Sequence, residues 1–295
     1  MTAAPAPFAE QPRARRLAGL PGSAAVMAQA RTENFPVASR LLPRRTRAHL
    51  LALYGFARRV DDAGDESVGD RLALLDEIEA ELVLAFSGAA REPLIAALQP
   101  TISACQLPIE PFRRLIEANR RDQVKNRYET FEELLEYCKL SADPVGELVL
   151  RVFGAATPVR IALSNAVCSG LQLVEHWQDI AEDYERGRIY LPLSDRERYG
   201  VAESDLALAK PTAELRRLLE LEVARARRLL DQGAPLIRTL AGRQALAVAL
   251  FVAGGRSALK AIERADYDVL SMRPRPTRGL LVTELLATLF GRPGR

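Results

Sequence analysis

The sequence predicts an all-α fold, a helical bundle around a central cavity. Three observations carry this. Apolar residues recur at helical spacing, as in Leu50, Leu53, Tyr54, Ala57 and Val60, which places them on one helix face. No segment alternates apolar and polar residues convincingly enough to read as a strand. Ala and Leu abound while aromatic residues make up only 6% of the chain, a mix that favours helices.

The elements follow in order. The N-terminal stretch has Arg13, Arg15 and Arg16 before an Ala-rich run, as a signal peptide would, but Pro21 and Gly22 interrupt it. The expectation is a flexible arm over 1–22, then a helix starting near Ser23. Pro36 and Pro43 mark further helix starts. A helix over 47–60 carries the first apolar stripe. Further helices are expected over 70–87, 91–104, 109–124, 130–139, 141–155, 158–186, 211–239, 241–267 and 276–290. The segment 187–198, "GRIYLPLSDRER", reads as a loop with turn signals at Gly187 and Pro192. No composition shift or fixed-period repeat divides the chain, so 23–295 reads as one helical domain.

Composition excludes several classes. The chain has 295 residues, 48% of them hydrophobic, with 41 basic and 38 acidic side chains. That near balance does not favour a nucleic-acid binder. Cys105, Cys138 and Cys168 have no paired spacing, and His49 and His176 are the two histidines. A disulfide framework and a zinc site are therefore not expected, and a reducing, cytoplasmic location is. The longest apolar candidate, 245–254, is too short to span a bilayer and lies between Arg243 and Arg256. No Gly-rich dinucleotide fingerprint follows a strand, so NADPH is not expected.

Two acidic constellations carry the chemistry. In "LYGFARRVDDAGDE" (53–66), Asp61 and Asp65 are one helical turn apart, with Asp62 beside them. In the helix expected over 158–186, Asp179 and Asp183 repeat that spacing. This second helix is apolar nearly all round, yet Cys168, Gln172, Glu175 or His176, Asp179 and Asp183 form one stripe. Such a stripe either meets another polar helix or lines a wet cavity. Carboxylates about 4 Å apart repel by about 4 kcal/mol at an effective dielectric near 20. An acid pair at a helix end is often only solvated surface. Two pairs growing from apolar helices are better explained by cations between them. All-oxygen ligands suit Mg²⁺ or Mn²⁺, which completes its shell with water and phosphate oxygens, so the set implies a diphosphate.

The stretches "ENFPVASRLLP" (33–43), "LYGFARRVDDAGDE", "YCKLSADPVGELVL" (137–150) and "QDIAEDYERGRIYLP" (178–192) resemble the squalene/phytoene synthase family. "NFPVASRLLP" and "WQD" are most similar to its bacterial hydroxysqualene-forming branch, in hopanoid biosynthesis. The resemblance implies an isoprenoid-synthase-type bundle. It assigns Asp61, Asp62 and Asp65 to a first Mg²⁺-diphosphate motif and Asp179 and Asp183 to a second. It places Tyr54 and Arg58 before the first motif, facing diphosphate oxygens, and Arg188 and Tyr190 after the second. Asp122 and Gln123 resemble a mid-chain acidic site, and Tyr137, Ala142 and Gly146 a cavity wall. The sequence departs from the wider family at Glu175 and Gln178, where relatives carry Asn and Arg. An arginine that could hold a second diphosphate is missing there.

The function expected is a carbon–oxygen lyase step: presqualene diphosphate plus water gives hydroxysqualene and diphosphate. A pocket near Gln172, Glu175 and His176 could hold the water; a packed, satisfied His176 is the other reading. The runner-up is a squalene- or phytoene-type prenyltransferase using two prenyl diphosphates. A non-catalytic helical assembly factor and a phosphohydrolase are rivals from other classes. Arg273, Arg275 and Arg278 precede Leu280, Leu281, Leu285, Leu286, Leu289 and Phe290. That segment reads either as an interfacial helix on the inner face of a membrane or as a last bundle helix. Partner enzymes of the squalene pathway would deliver the substrate.

Overall fold

Threonines set the starts of four helices. Thr130, Thr157, Thr212 and Thr277 each accept the N–H of the residue three positions on, which satisfies a donor the helix itself leaves open. The computed structural model describes residues 17, 20–29, 41–67 and 69–291. Its helices are α1 (Ser23–Gln29), α2 (Arg44–Asp61), α3 (Arg71–Phe86), α4 (Pro93–Ala96), α5 (Gln99–Cys105), α6 (Glu110–Asp122), α7 (Phe131–Ser141) and α8 (Asp143–Val152). They continue with α9 (Pro158–Gln178), α10 (Ile180–Glu185), α11 (Leu193–Tyr199), α12 (Ala213–Gly233), α13 (Leu236–Thr239), α14 (Gly242–Arg264) and α15 (Arg278–Phe290). Among the described residues there is no strand, only an isolated bridge between Arg127 and Ile189. The helix start at Pro36 lies outside the described residues, as does nearly all of the arm expected over 1–22.

Proline explains most departures from the expected elements. The helix over 91–104 is two, α4 and α5, with Pro100 in the first turn of the second. The helix over 211–239 breaks into α12 and α13 at Pro235. A proline lacks the N–H that would continue the ladder. The loop expected over 187–198 instead contains α11, which Pro192 precedes and Gly200 ends at φ +71°. The helix over 158–186 breaks at Asp179, whose backbone sits at φ −108°, ψ 14°. That break falls on the first acid of the second motif.

The core helix is α9. It packs along α12 and also against α8 and α14. The α12 stripe of Leu215, Leu218, Leu219, Val223, Ala226 and Leu230 is buried throughout, as its spacing requires. On the other side of the bundle Phe56 of α2 meets Phe112 of α6 edge to face, 5.1 Å between ring centroids. The three cysteines are free. One described helix, α14, is long and apolar enough to cross a membrane, and 56% of its most apolar window is buried in the bundle. The apolar stretch thus runs further than 245–254.

The last helix, α15, is packed on the bundle along one face. It packs on α14 through Leu280 and through polar groups: Glu284 pairs with Lys260, and Thr288 accepts from Arg256 at 2.9 Å. Its outward face carries Val282, Leu286, Leu289 and Phe290, the last 79% exposed.

Candidate active site

A cavity of about 290 Å³ lies between α2, α8 and α9, and its walls are almost wholly apolar. Tyr54 and Ala57 line it from α2, and Ala142 and Gly146 from the α7–α8 region. Gln172 and Glu175 line it from α9. Gly146 is a close approach: a Cβ there would sit 2.3 Å from Ser164 Oγ and 2.6 Å from Cys168 Sγ, so both side chains would have to shift. Both acidic motifs begin one turn beyond this lining, Asp61 after Ala57 and Asp179 after Glu175.

The first motif is a helix end that widens. After Asp61 the chain makes the π-helical turn Asp62–Glu66, a distortion common at functional sites. Gly64 allows it, since a Cβ there would fall 2.1 Å from Asn119 Oδ1. Asn119 in turn donates to Asp61 at 3.2 Å. Asp62 turns inward: it is fully buried, and Arg58 Nε lies 2.7 Å from its carboxylate. Asp62, expected to share a cation with Asp61 and Asp65, thus has a protein cation against its carboxylate. Arg58, expected to face an anion, turns its Nε to that carboxylate. Asp65 receives the Arg188 guanidinium.

Gln123 and Asp122 take different parts. The Gln123 amide donates to the Gly64 and Asn119 carbonyls, 3.0 Å each, so it braces the first motif rather than the cavity. Asp122 accepts the Tyr137 hydroxyl at 2.6 Å. Tyr137, expected on the cavity wall, does not line it; its ring lies 5.7 Å from Tyr190 and 5.6 Å from Tyr128. His176 stacks on Tyr190 with centroids 3.7 Å apart, and its Nε2 is 3.3 Å from Gln172 Nε2. Of the two readings of His176, the packed one is therefore the observed one. Arg188, Asp183, Tyr190 and His176 surround a second, much smaller cavity.

The second motif is met by the C-terminal chain. Arg273 places Nε 2.7 Å from Asp179 Oδ1 and Nη2 2.8 Å from Oδ2. Gln178, at the position where relatives carry an arginine, is buried, does not line the cavity, and donates to the Pro274 carbonyl. In place of a cation at position 178, Arg273, 94 residues on from Asp179, pairs with that acid.

Four of the site's carboxyls, Asp61, Asp122, Asp179 and Asp183, are raised above their ordinary value. Burial raises the Asp61 carboxyl to about 6; Asp65 and Asp62 push the same way, and the Asn119 bond pulls back. Asp61 keeps a solvent-exposed face while protein crowds it on the others. Burial likewise raises Asp179 to about 6 against the pull of Arg273, and Asp183 to about 7, with the Asp179 charge adding to it. Asp122 is raised to about 7 by burial despite Tyr137 and Arg188. His176 is pushed down to about 3 by burial and then by Arg188.

Among the described residues no three His, Cys, Asp or Glu side chains converge as a ready-made metal cage. What the site offers is oxygen ligands singly or in pairs. That donor set fits Mg²⁺ or Mn²⁺, which binds through one or two carboxylates plus phosphate oxygens and water. Residues that sequence reasoning missed are Asn119 and the contact of Arg273 with Asp179. Asn119 had a signal, since it shares a helix face with Asp122 and Gln123. Arg273 had none, because the intervening bundle sets that contact.

Residues 28–280 match the squalene/phytoene synthase family. The chain is 37% identical over 210 residues to a hydroxysqualene synthase of Rhodopseudomonas palustris, covering 70% of each chain. It is 34% identical over 260 residues to a phytoene synthase of Arthrospira platensis, covering 82% of this chain and 83% of the other. The crystal structure of the squalene synthase HpnC from Alicyclobacillus acidocaldarius superposes with a TM-score of 0.77 at 44% identity, over 89% of this chain and all of the other. The chain therefore belongs to the squalene/phytoene synthase family.

Proposed function

We propose that this chain converts presqualene diphosphate and water into hydroxysqualene and diphosphate. The observation that carries the reading is the meeting of an apolar cavity with both acidic motifs one turn beyond its lining. A long hydrocarbon fits the apolar walls, and a diphosphate fits the acidic end once divalent cations neutralise it. Asp61, Asp65, Asp179 and Asp183 would hold Mg²⁺ or Mn²⁺; the metal supplies Lewis-acid stabilisation of the leaving diphosphate. Asp62 serves as the buried counter-charge of Arg58. Tyr54, on the cavity wall, and Arg188, which follows the second motif and pairs with Asp65 of the first, would donate to diphosphate oxygens. Tyr190 holds the stacked ring of His176 behind that end.

The C–O bond breaks with its electron pair on the diphosphate. The cyclopropylcarbinyl cation rearranges and opens its ring to an allylic cation. Water adds, and its proton leaves to solvent. No hydride donor enters the balance, so NADPH has no part. Gln172 and Glu175 are the polar groups on the cavity wall nearest the second motif in sequence, and they are assigned to hold the water. Glu175 adds a carboxylate to that wall, where relatives carry a neutral Asn, and a more acidic wall favours one anionic substrate over two.

A second reading has its own observation. Arg273 supplies a cation at Asp179, and a phytoene synthase matches over more of the chain than the hydroxysqualene synthase does. A condensing synthase using two prenyl diphosphates is therefore the alternative. Incubation of the purified protein with presqualene diphosphate and Mg²⁺, without NADPH, distinguishes them. A hydroxylated C30 alcohol supports the first reading; product from farnesyl diphosphate alone supports the second. The outward face of α15, with Arg275 and Arg278 exposed before it, is assigned to peripheral contact with the inner membrane face. There an enzyme making presqualene diphosphate would hand over its product.

A further inference from the structure

Gln178 and Asp179 are neighbours at the end of α9, and they grip neighbouring residues of the C-terminal chain. The Gln178 amide donates to the Pro274 carbonyl, while Arg273 lies on Asp179 through both carboxylate oxygens. The gripped chain is a non-helical strap over 265–277, between α14 and α15. It leaves α14 through Asp266 and Tyr267, both in the left-handed region at φ 52° and 57°. Inside it Val269 and Pro274 are buried, whereas Met272 is 59% exposed and Arg275 is exposed. Pro274 and Pro276 carry no N–H, so they cannot tie the strap down by donating. Near the second motif two of the contacts that fix the strap come from the adjacent residues Gln178 and Asp179.

We propose that Gln178 is a positioning residue that pins this strap so that Arg273 reaches Asp179, giving the second acidic motif a counter-charge that can leave. A neutral side chain is what the task requires. An arginine at 178 would set a second guanidinium beside Arg273 and repel it. A cation fixed on the helix would stay when a divalent ion arrives, whereas one carried by the strap withdraws and leaves Asp179 to the metal. The inference rests on the metal reading given under Proposed function. It adds that Arg273 and the metal compete for Asp179, and that Gln178 sets the terms of the competition.

The test is a double-mutant cycle on the full chain with Gln178→Leu, Arg273→Gln and the pair. Gln178→Met is the near-isosteric second variant should Leu not fold, and Arg273→Lys preserves the charge. Two readouts are taken without substrate: the rate of chymotryptic cleavage after Leu270 or Met272, and Mn²⁺ affinity by electron paramagnetic resonance. Cleavage should accelerate in Gln178→Leu and in Arg273→Gln, and the pair should add little to the faster single. Mn²⁺ should bind about fivefold more tightly in each, the scale of a half-exposed ion pair. The pair should again be non-additive, and Arg273→Lys should stay near wild type. Unchanged cleavage in Gln178→Leu, or additive effects, overturns the proposal. Faster cleavage with Mn²⁺ affinity altered only by Arg273→Gln also overturns it, since Gln178 is then a structural anchor alone. If no variant binds Mn²⁺, the metal reading falls, and the pinning of Arg273 by Gln178 is decided by the cleavage cycle.

Discussion

Asp61 shows how a single carboxyl carries both a stability cost and a chemical purpose. Its value of about 6 lies above its ordinary 3.8, so the folded protein takes this proton more readily than the unfolded chain. Its contribution is favourable below about 4 and is lost as pH rises through 6. Asp179, at about 6, and Asp122 and Asp183, at about 7, act in the same direction. His176 opposes them: held near 3, its contribution is present above 6.5 and is lost as pH falls. Asp61→Asn should therefore melt higher than wild type in EDTA near neutral pH, with the lead closing as pH approaches about 4. The same variant should lose turnover by about two orders of magnitude or more, the scale of removing one group that stabilises transition-state charge. Melting curves across pH and steady-state rates check both halves. A variant with near-normal Mg²⁺-dependent turnover would remove Asp61 from the site. Asp179→Asn should lose turnover alike but gain less stability, because it also gives up the Arg273 ion pair.

At the scale of elements, two helices make opposite demands. Gly146 lets α8 approach α9 closely enough to shape the cavity. Gly146→Ala should lower the melting temperature and raise KM more than it lowers kcat, because the added methyl crowds Ser164 and Cys168 on the wall. Unaltered melting and KM would show that the wall yields. In α15 the buried apolar residue is Leu280, whereas Leu289 and Phe290 face outward. Leu280→Ala should cost about 2–5 kcal/mol, read by denaturant unfolding. Leu286→Ser with Phe290→Ser should leave melting unchanged and weaken binding to vesicles containing anionic lipid. Unchanged vesicle binding would sink the membrane assignment of this face. The helices themselves were legible because their caps and stripes are local, as with Thr157 and the α12 leucines. The break at Asp179 was not, since no Pro or Gly marks it and the surrounding bundle sets its backbone.

The whole molecule decides what local pattern could not. The spacing of Asp61 and Asp65 and of Asp179 and Asp183 was legible, and so was the association of each pair with an apolar helix. The inward turn of Asp62 was not, because a π-helical turn replaces the regular register on which the spacing argument rests. Nor was the orientation of Gln178. Sequence places it one residue before an acid, but only the return of the chain through α12 and α14 brings Pro274 within its reach. The same return sets Arg273 at the second motif, so the charge there is a property of the folded bundle.

The most direct test is the fate of presqualene diphosphate incubated with the purified protein and Mg²⁺ without NADPH, with farnesyl diphosphate run in parallel and products identified by mass spectrometry. The account predicts ready conversion of presqualene diphosphate to a hydroxylated C30 alcohol, silenced by EDTA and restored by Mg²⁺, and little or no product from farnesyl diphosphate. Robust formation of presqualene diphosphate, squalene or phytoene from simple prenyl diphosphates by this chain alone would contradict it.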